Sequence, residues 1–231
     1  MDEHNVHHFW GISPAVDLGT LLPTGDGAAD LPVDQPVRFL QVAPYDARHT
    51  LTTLSRACRH PALMRQLPPG QPACRLYVWE DSPEGLARHV LLAAVLLDGG
   101  VPAAQRGQLL LELHGNAVLR RRAAEYLDEK ARQLESLFVG LAAGQPPPAG
   151  PEAEARGLAA LAALLDLSLL KFQEKDLIVE ALQRWRLPNP TSSTSTSAAS
   201  ASAAAAPYDM VAAWDGRCRK VYGGGGCWEQ L

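Results

Sequence analysis

VRFLQVAPYDARHTLTTLSRAC, residues 37 to 58, and RLYVWEDSPEGLARHVLLAAVLLDGG, residues 75 to 100, decide the fold. In the first run Val37, Phe39, Leu40 and Val42 suit a strand over 37 to 43 that is buried on one or both faces. The pattern then turns helical. Asp46 can cap, Leu51, Leu54, Ala57 and Cys58 fall on one helical face, and Pro61 ends the run. The second run repeats the arrangement. Residues 75 to 80 read as a strand, Ser82 as an N-cap and Pro83 as the first helical residue. Leu86, Ala87, Val90, Leu91, Ala94, Val95 and Leu97 then make an almost wholly apolar helix, closed by Asp98, Gly99 and Gly100. A helix this apolar has to pack on a sheet or in a bundle, so the class is α/β and helix-rich.

Outward from this centre, residues 20 to 36 carry Pro, Gly and Asp without a period and read as a loop. Residues 63 to 74 form a Pro-rich connector. Residues 103 to 114 and 117 to 139 read as helices separated at Gly115 and Asn116, with Asn116 as a helix cap; LLLELHG within the first is also compatible with a short strand. Arg121 with Glu125 and Asp128 with Arg132 are spaced i,i+4, so Arg120, Arg121 and Arg122 read as a solvated face rather than an anion site. A helical region from about 152 to 185 has a turn near Lys171 to Glu174. Residues 187 to 207 are low-complexity Ser, Ala and Thr that cannot build a core. The expected organisation is an arm and loop over 1–36, a mixed domain over 37–186, a linker over 187–207, and the start of a further segment over 208–231.

Bulk properties exclude several function classes. In 231 residues, 21 Lys and Arg stand against 25 Asp and Glu, a formal charge of -4, so no positive excess is available for nucleic acid. Cys58, Cys74, Cys218 and Cys227 lack CxxC spacing, which speaks against a zinc site or a disulfide scaffold and for a reducing cytosol. The first residues, MDEHNVHHFWGI, are acidic where a signal peptide is basic and then apolar, and no run reaches the roughly 18 apolar residues of a membrane span. The expectation is a cytoplasmic chain with no membrane partner.

Strand, turn, helix and a second strand ending in an acid form the opening layout of a Rossmann-type fold, with Glu80 where such folds bind ribose hydroxyls. A ligand approaches that turn through glycine, which lacks a Cβ. Here the turn reads Val42-Ala43-Pro44-Tyr45-Asp46-Ala47-Arg48. It has no glycine, Pro44 lacks an N–H, and Tyr45 and Asp46 add bulk and negative charge. Glu80 also lies well beyond the ~20-residue spacing of the dinucleotide fingerprint. A degenerate Rossmann-like core with few strands, and no cofactor, is therefore expected. The alternative is an S-adenosylmethionine-dependent methyltransferase with Glu80 on the ribose and Asp46 near the cofactor. His4, His7 and His8 have no Cys partner nearby and read as mobile rather than metal-binding. Ser55, His49, His60 and His89 have no catalytic partner identifiable from sequence, and the GGGG of 223 to 226 lacks the GK[ST] of a phosphate loop. No catalytic residue is assigned.

Six runs in order, FWGISPAVDLG, RHTLTTLSRA, WEDSPEGLARHVLL, LELHGNAVLR, LSLLKFQEKDLIVEALQRW and WDGRCRKVY, resemble the N-terminal region of the dynein axonemal assembly factor 3 family. The resemblance covers residues 9 to about 222 apart from 187–207, and only the front part of the family, so the chain reads as a truncated member. It implies a non-enzymatic cytoplasmic factor for assembling axonemal dynein arms before their transport into cilia. The implied partners are axonemal dynein chains, other dynein assembly factors and the Hsp90 and Hsp70 chaperone systems. It also implies a methyltransferase-like Rossmann core; other members carry more glycine in the turn after the first strand. In a platform of this kind the interaction candidates are Arg48, His49 and Arg56 on the first helix, Arg88 and His89 on the second, and Trp214, Asp215 and Arg217 in the tail. Trp214 reads first as an anchor that docks the tail, although tryptophan is also enriched at binding hot spots.

Overall fold

The computed structural model describes residues 13–23, 34–69, 71–116, 119–147 and 152–186. The chain divides into two compact units, one running to His89 and the other from Val90.

In the first unit, β1 (Val37–Val42) pairs in parallel with β2 (Cys74–Trp79), in register from Val37 opposite Cys74 to Val42 opposite Trp79. Parallel strands cannot be joined by a tight turn. The crossover is made by α1 (Arg48–Ser55), a 3-10 turn over Ala57–Arg59, and the short α2 (Pro61–Met64). Both strands lie within a residue of the expected spans. Strand period places Val37 and Gln41 on the buried face of β1, and Arg38, Leu40 and Val42 on the exposed one.

Two expectations for the crossover need correction. Leu51, Leu54, Ala57 and Cys58 do not form one apolar face: Leu54 and Cys58 are exposed and the buried residue of α1 is Thr53. The α-helix stops at Ser55, and the tighter 3-10 turn changes the angular spacing beyond it. Thr53 is buried because its hydroxyl is satisfied twice, donating to His49 O at 2.8 Å and accepting from Leu18 N–H at 2.9 Å. Pro61, in turn, starts a helix rather than only ending one, since the first helical position needs no N–H.

The stretch before β1 is more than a loop. A 3-10 turn over Leu18–Leu21 is capped by Asp17, whose carboxylate accepts from Gly19 N–H at 3.0 Å. Asp17 is also bonded by His60 Nε2 at 3.0 Å, which holds its carboxyl below the usual range. Gly19 is required here, because a Cβ would sit 2.2 Å from the His60 ring.

Helix α3 (Pro83–Leu97) begins as read: Ser82 Oγ accepts from Gly85 N–H at 3.1 Å, with Pro83 in the first position. Ala87, Val90, Leu91, Leu92, Ala94 and Val95 are buried. From Val90 onward the chain builds the second unit, which is helical throughout its described residues: α4 (Ala103–Gly115), α5 (Arg121–Ala142), α6 (Ala153–Leu164) and α7 (Phe172–Arg184). LLLELHG is therefore helix, not strand. Asn116 is the C-cap of α4, its N–H bonded to Glu112 O at 3.1 Å. The break between α6 and α7 falls over 165–171, earlier than expected, and Glu174 accepts from Lys171 N–H at 2.7 Å to start α7.

Val95, Leu109 and Ala123 form one core cluster of this unit, joined by Val101, Leu113, Leu119 and Tyr126. Helix α5 also packs along α7, where Leu134, Phe138, Ile178 and Leu182 are buried. Each fully buried leucine of this kind contributes roughly 1.5–3 kcal/mol. The expected i,i+4 pairs Arg121–Glu125 and Arg132–Asp128 are present. Arg120 is not simply solvated, however: it grips buried Glu112 through its backbone N–H at 2.7 Å and its guanidinium at 2.7 and 3.0 Å. The α4–α5 corner is pinned in this way.

The second unit also buries an ammonium. Lys130 Nζ lies 2.9 Å from Asp98 and 3.3 Å from Glu154 and donates to Gln133 Oε1 at 2.8 Å, while the Tyr126 hydroxyl donates to Asp98 at 2.9 Å. Burial alone would raise the Asp98 carboxyl, but the donors Lys130 and Tyr126 hold it below its ordinary value. Among the described residues no helix is long and apolar enough to cross a membrane.

Candidate functional site

The ligand end of an open α/β sheet is the carboxyl end of its strands. Here β1 runs into Ala43 (φ 45°) and Tyr45 (φ 61°), two non-glycine residues in the left-handed region, so the turn is made without glycine at a steric cost. The positions it sets are filled by the chain's own charges. Asp46 is buried, and its carboxylate accepts from Arg48 N–H at 2.9 Å and also bonds the Arg48 guanidinium. Glu80, following β2, is buried and bonded to His89 Nε2 at 2.8 Å.

Arg88, from the second turn of α3, is 7% exposed and lies beside both carboxylates, donating to Tyr45 O at 3.3 Å. Burial lowers its pKa to about 10, and the charges of Asp46 and Glu80 oppose that shift, so it stays a guanidinium cation at neutral pH. Gly85 lets the first turn of α3 close over Glu80, since a Cβ there would already be 3.2 Å from Glu80 Cγ. The two carboxylates weighed as cofactor ligands thus face an internal cation.

A cleft of about 450 Å³ lies beside β1, lined among others by Ser13, Val16, Gln41, Tyr45, Arg48 and His49. Gln41 is buried and donates from Nε2 to Thr50 Oγ1 at 2.8 Å, while its Oε1 has no hydrogen-bond partner among the described residues. His49 Nδ1 accepts from Val16 N–H at 2.9 Å, and burial, followed by the nearby Arg48 charge, holds its pKa down. Its accepting nitrogen is committed to the backbone, so it is not a free general base. Arg48 also donates to Ser13 Oγ at 2.9 Å.

Of the expected interaction residues, Arg56 is exposed, whereas Arg48 and His49 tie residues 13–16 to α1. Arg88 and His89 differ from the surface positions expected of them: the buried Arg88 guanidinium offsets the charge of the buried carboxylates, and His89 hydrogen-bonds Glu80. Trp214, Asp215, Arg217, His4, His7 and His8 lie outside the described residues. Among the described residues no group of three or more His, Cys, Asp or Glu is arranged to hold a metal. Cys74 is half-buried, which pushes its thiol pKa up and away from nucleophilic use. Sequence reading missed both the Lys130 cluster and the role of Arg88. For Arg88 the only signal was a cation at the head of an apolar helical stretch, which does not name its partner; Lys130 stands in a charged run and gave none.

The described residues therefore define a helix-rich α/β protein with a parallel βαβ unit, whose strand-end carboxylates Asp46 and Glu80 are bonded to Arg48 and His89. Residues 9–119 match the family described as Domain of unknown function (DUF4470). The chain is a relative of the dynein axonemal assembly factor 3 proteins, the family that its sequence runs resemble. It is 30% identical to that of Mus musculus over 77% of this chain and 27% of that protein. With the Bos taurus protein it shares 28% over 93% of this chain and 34% of that protein, and with the Xenopus laevis protein 30% over 79% and 34%. The matched region thus spans about a third or less of these relatives. No solved structure matches the chain.

Proposed function

We propose that this chain works in the assembly of axonemal dynein, as a non-enzymatic platform for protein contacts within a cytoplasmic factor that acts before the dynein arms enter cilia or flagella. In this reading the βαβ unit is a degenerate Rossmann-like core. The observation that carries it is the strand end itself: buried Asp46 and Glu80 act on the buried Arg88 guanidinium and the turn after β1 holds no glycine, where a cofactor would need open acceptors and a glycine turn. The names of the relatives supply the process. Its partners are axonemal dynein chains, other dynein assembly factors and the Hsp90 and Hsp70 machinery. Exposed Arg56 and the tail residues Trp214, Asp215 and Arg217 are contact candidates.

The test is affinity purification of the tagged chain from the cytoplasm of cells building cilia, probed for axonemal dynein heavy and intermediate chains. Their recovery is expected, and their absence would overturn the reading. A parallel thermal-shift titration uses S-adenosylmethionine. Ligand at a hundred times its Kd would stabilise the fold by about 2.7 kcal/mol. No shift is expected, and a saturable one would make methyl transfer the function to pursue.

A further inference from the structure

Among the described residues, the edge of β1 that faces away from β2 is open. Val37 N–H bonds Ala73 O at 3.0 Å and Ala43 N–H bonds Trp79 O at 2.7 Å, so the odd-numbered residues turn their main-chain groups toward β2. These groups alternate sides along a strand, and those of Leu40 and Val42 therefore point to the other edge. No hydrogen bond among the described residues engages them. Edge strands are usually blunted by a charge, a proline or a bulge, and Leu40-Gln41-Val42 has none of these. The cleft beside β1 runs along this edge. Leu40 and Val42 come from the exposed face of the strand and Gln41 from the buried one, yet all three line the cleft, and no residue of β2 does.

Two polar atoms buried on residues that line this cleft have no partner. Gln41 is 6% exposed, and its Oε1, a carbonyl acceptor, is unbonded; so is the donor Arg48 Nε. A buried donor or acceptor left unbonded is destabilising, so the pair points to a ligand that brings both an acceptor and a donor. We propose that the cleft takes an extended segment of a partner protein as a third strand beside β1, with an Asn or Gln side chain of that segment set against Gln41 and Arg48. Leu40 and Val42 present N–H donors and C=O acceptors two residues apart, a spacing that a peptide backbone matches and a small molecule has no reason to match. The carboxamide of the segment donates to Gln41 Oε1 and accepts from Arg48 Nε. Val16, Leu18 and Pro44 complete an apolar lining, so the residues flanking the carboxamide are apolar. The proposal rests on the platform reading above and gives that platform a contact surface.

The probe is a phage-displayed library of random dodecapeptides selected on the full 231-residue chain. Selected peptides are expected to protect the Leu40 and Val42 amides from hydrogen exchange, and N-methylation of alternate peptide residues abolishes binding without altering the protein. The proposal is overturned if no peptide is selected, if the peptides leave these two amides unprotected, or if they tolerate N-methylation at every position. Protection of both amides in the chain without peptide also overturns it. Such protection would assign the edge to a second copy if it grows with protein concentration, and to the chain itself if it does not. Replacing the Asn or Gln of a selected peptide with Leu weakens its binding about tenfold. The loss is clearly smaller against Gln41→Met, which keeps an unbranched side chain and removes the acceptor; an equal loss overturns the placement of the carboxamide. No dynein chain enters this experiment, so its failure leaves the recovery of dynein chains from cells as it was, and failed recovery leaves peptide binding at the edge as it was.

Discussion

Replacing Lys130 with Met removes an ammonium whose side chain is 3% exposed and leaves Asp98, equally buried, without its cation. Methionine keeps most of the stem volume, so the change is chiefly one of charge. Breaking a buried pair by removing one partner costs about 3–5 kcal/mol. Asp98 keeps two donors, the Tyr126 hydroxyl at 2.9 Å and Gly100 N–H at 2.9 Å, which places the expected loss at the lower end. A loss of about 3 kcal/mol raises the opening equilibrium roughly 150-fold. Because the chain has two units, a single global transition is not assured, and native-state hydrogen exchange of the α5 amides is the suitable assay. Asp98→Asn in the same background removes the stranded charge while leaving an acceptor. The double variant should therefore lose at least about 1.5 kcal/mol less than the sum of the single losses. A Lys130→Met loss under about 1 kcal/mol, or strict additivity with Asp98→Asn, would refute the view that this pair is a buried charge cluster.

Gly157→Ala would bring a Cβ to 2.6 Å from the Leu97 carbonyl oxygen, a backbone atom that cannot rotate away. A loss of about 1–3 kcal/mol is expected in the same exchange experiment, localised to α6. Ser82→Ala removes the hydroxyl that accepts from Gly85 N–H and should cost about 0.5–2 kcal/mol in urea unfolding, with Ser82→Asp near neutral. His49 supplies a pH dependence. Its folded pKa lies below the ordinary 6.5, so the stabilisation it gives is complete above pH 6.5 and is lost as pH falls through the folded value. Protonating Nδ1 breaks the bond from Val16 N–H, so the Val16 amide should lose protection on acidification while His49→Asn removes the dependence; a pH-independent opening would contradict this.

The sequence made β1, β2 and α3 legible for separate reasons. The strands declare themselves through β-branched and aromatic runs bounded by Pro and Asp, and α3 through the Ser82-Pro83 start and Gly stop around a continuous apolar stretch. Those signals are local. The helix after β1 was harder, because the burial of Thr53 depends on Leu18, 35 residues away, and no local pattern prefers it to Leu54. The missing glycine in the turn after β1 was readable as an obstacle to a ligand. That Arg88 is buried beside Asp46 and Glu80 was not readable, since these carboxylates come from outside its helix. Lys130 and Asp98 likewise pair across 32 positions, and in sequence each resembles a surface charge.

The two left-handed residues at the end of β1 also hold an unused reserve of stability. Ala43 and Tyr45 keep backbone angles that glycine would adopt freely, and strain of this kind is worth about 1 kcal/mol or more per residue. Ala43→Gly relieves one of them while deleting only a methyl group. The corner is thus a natural starting point for engineering a sturdier form of the protein.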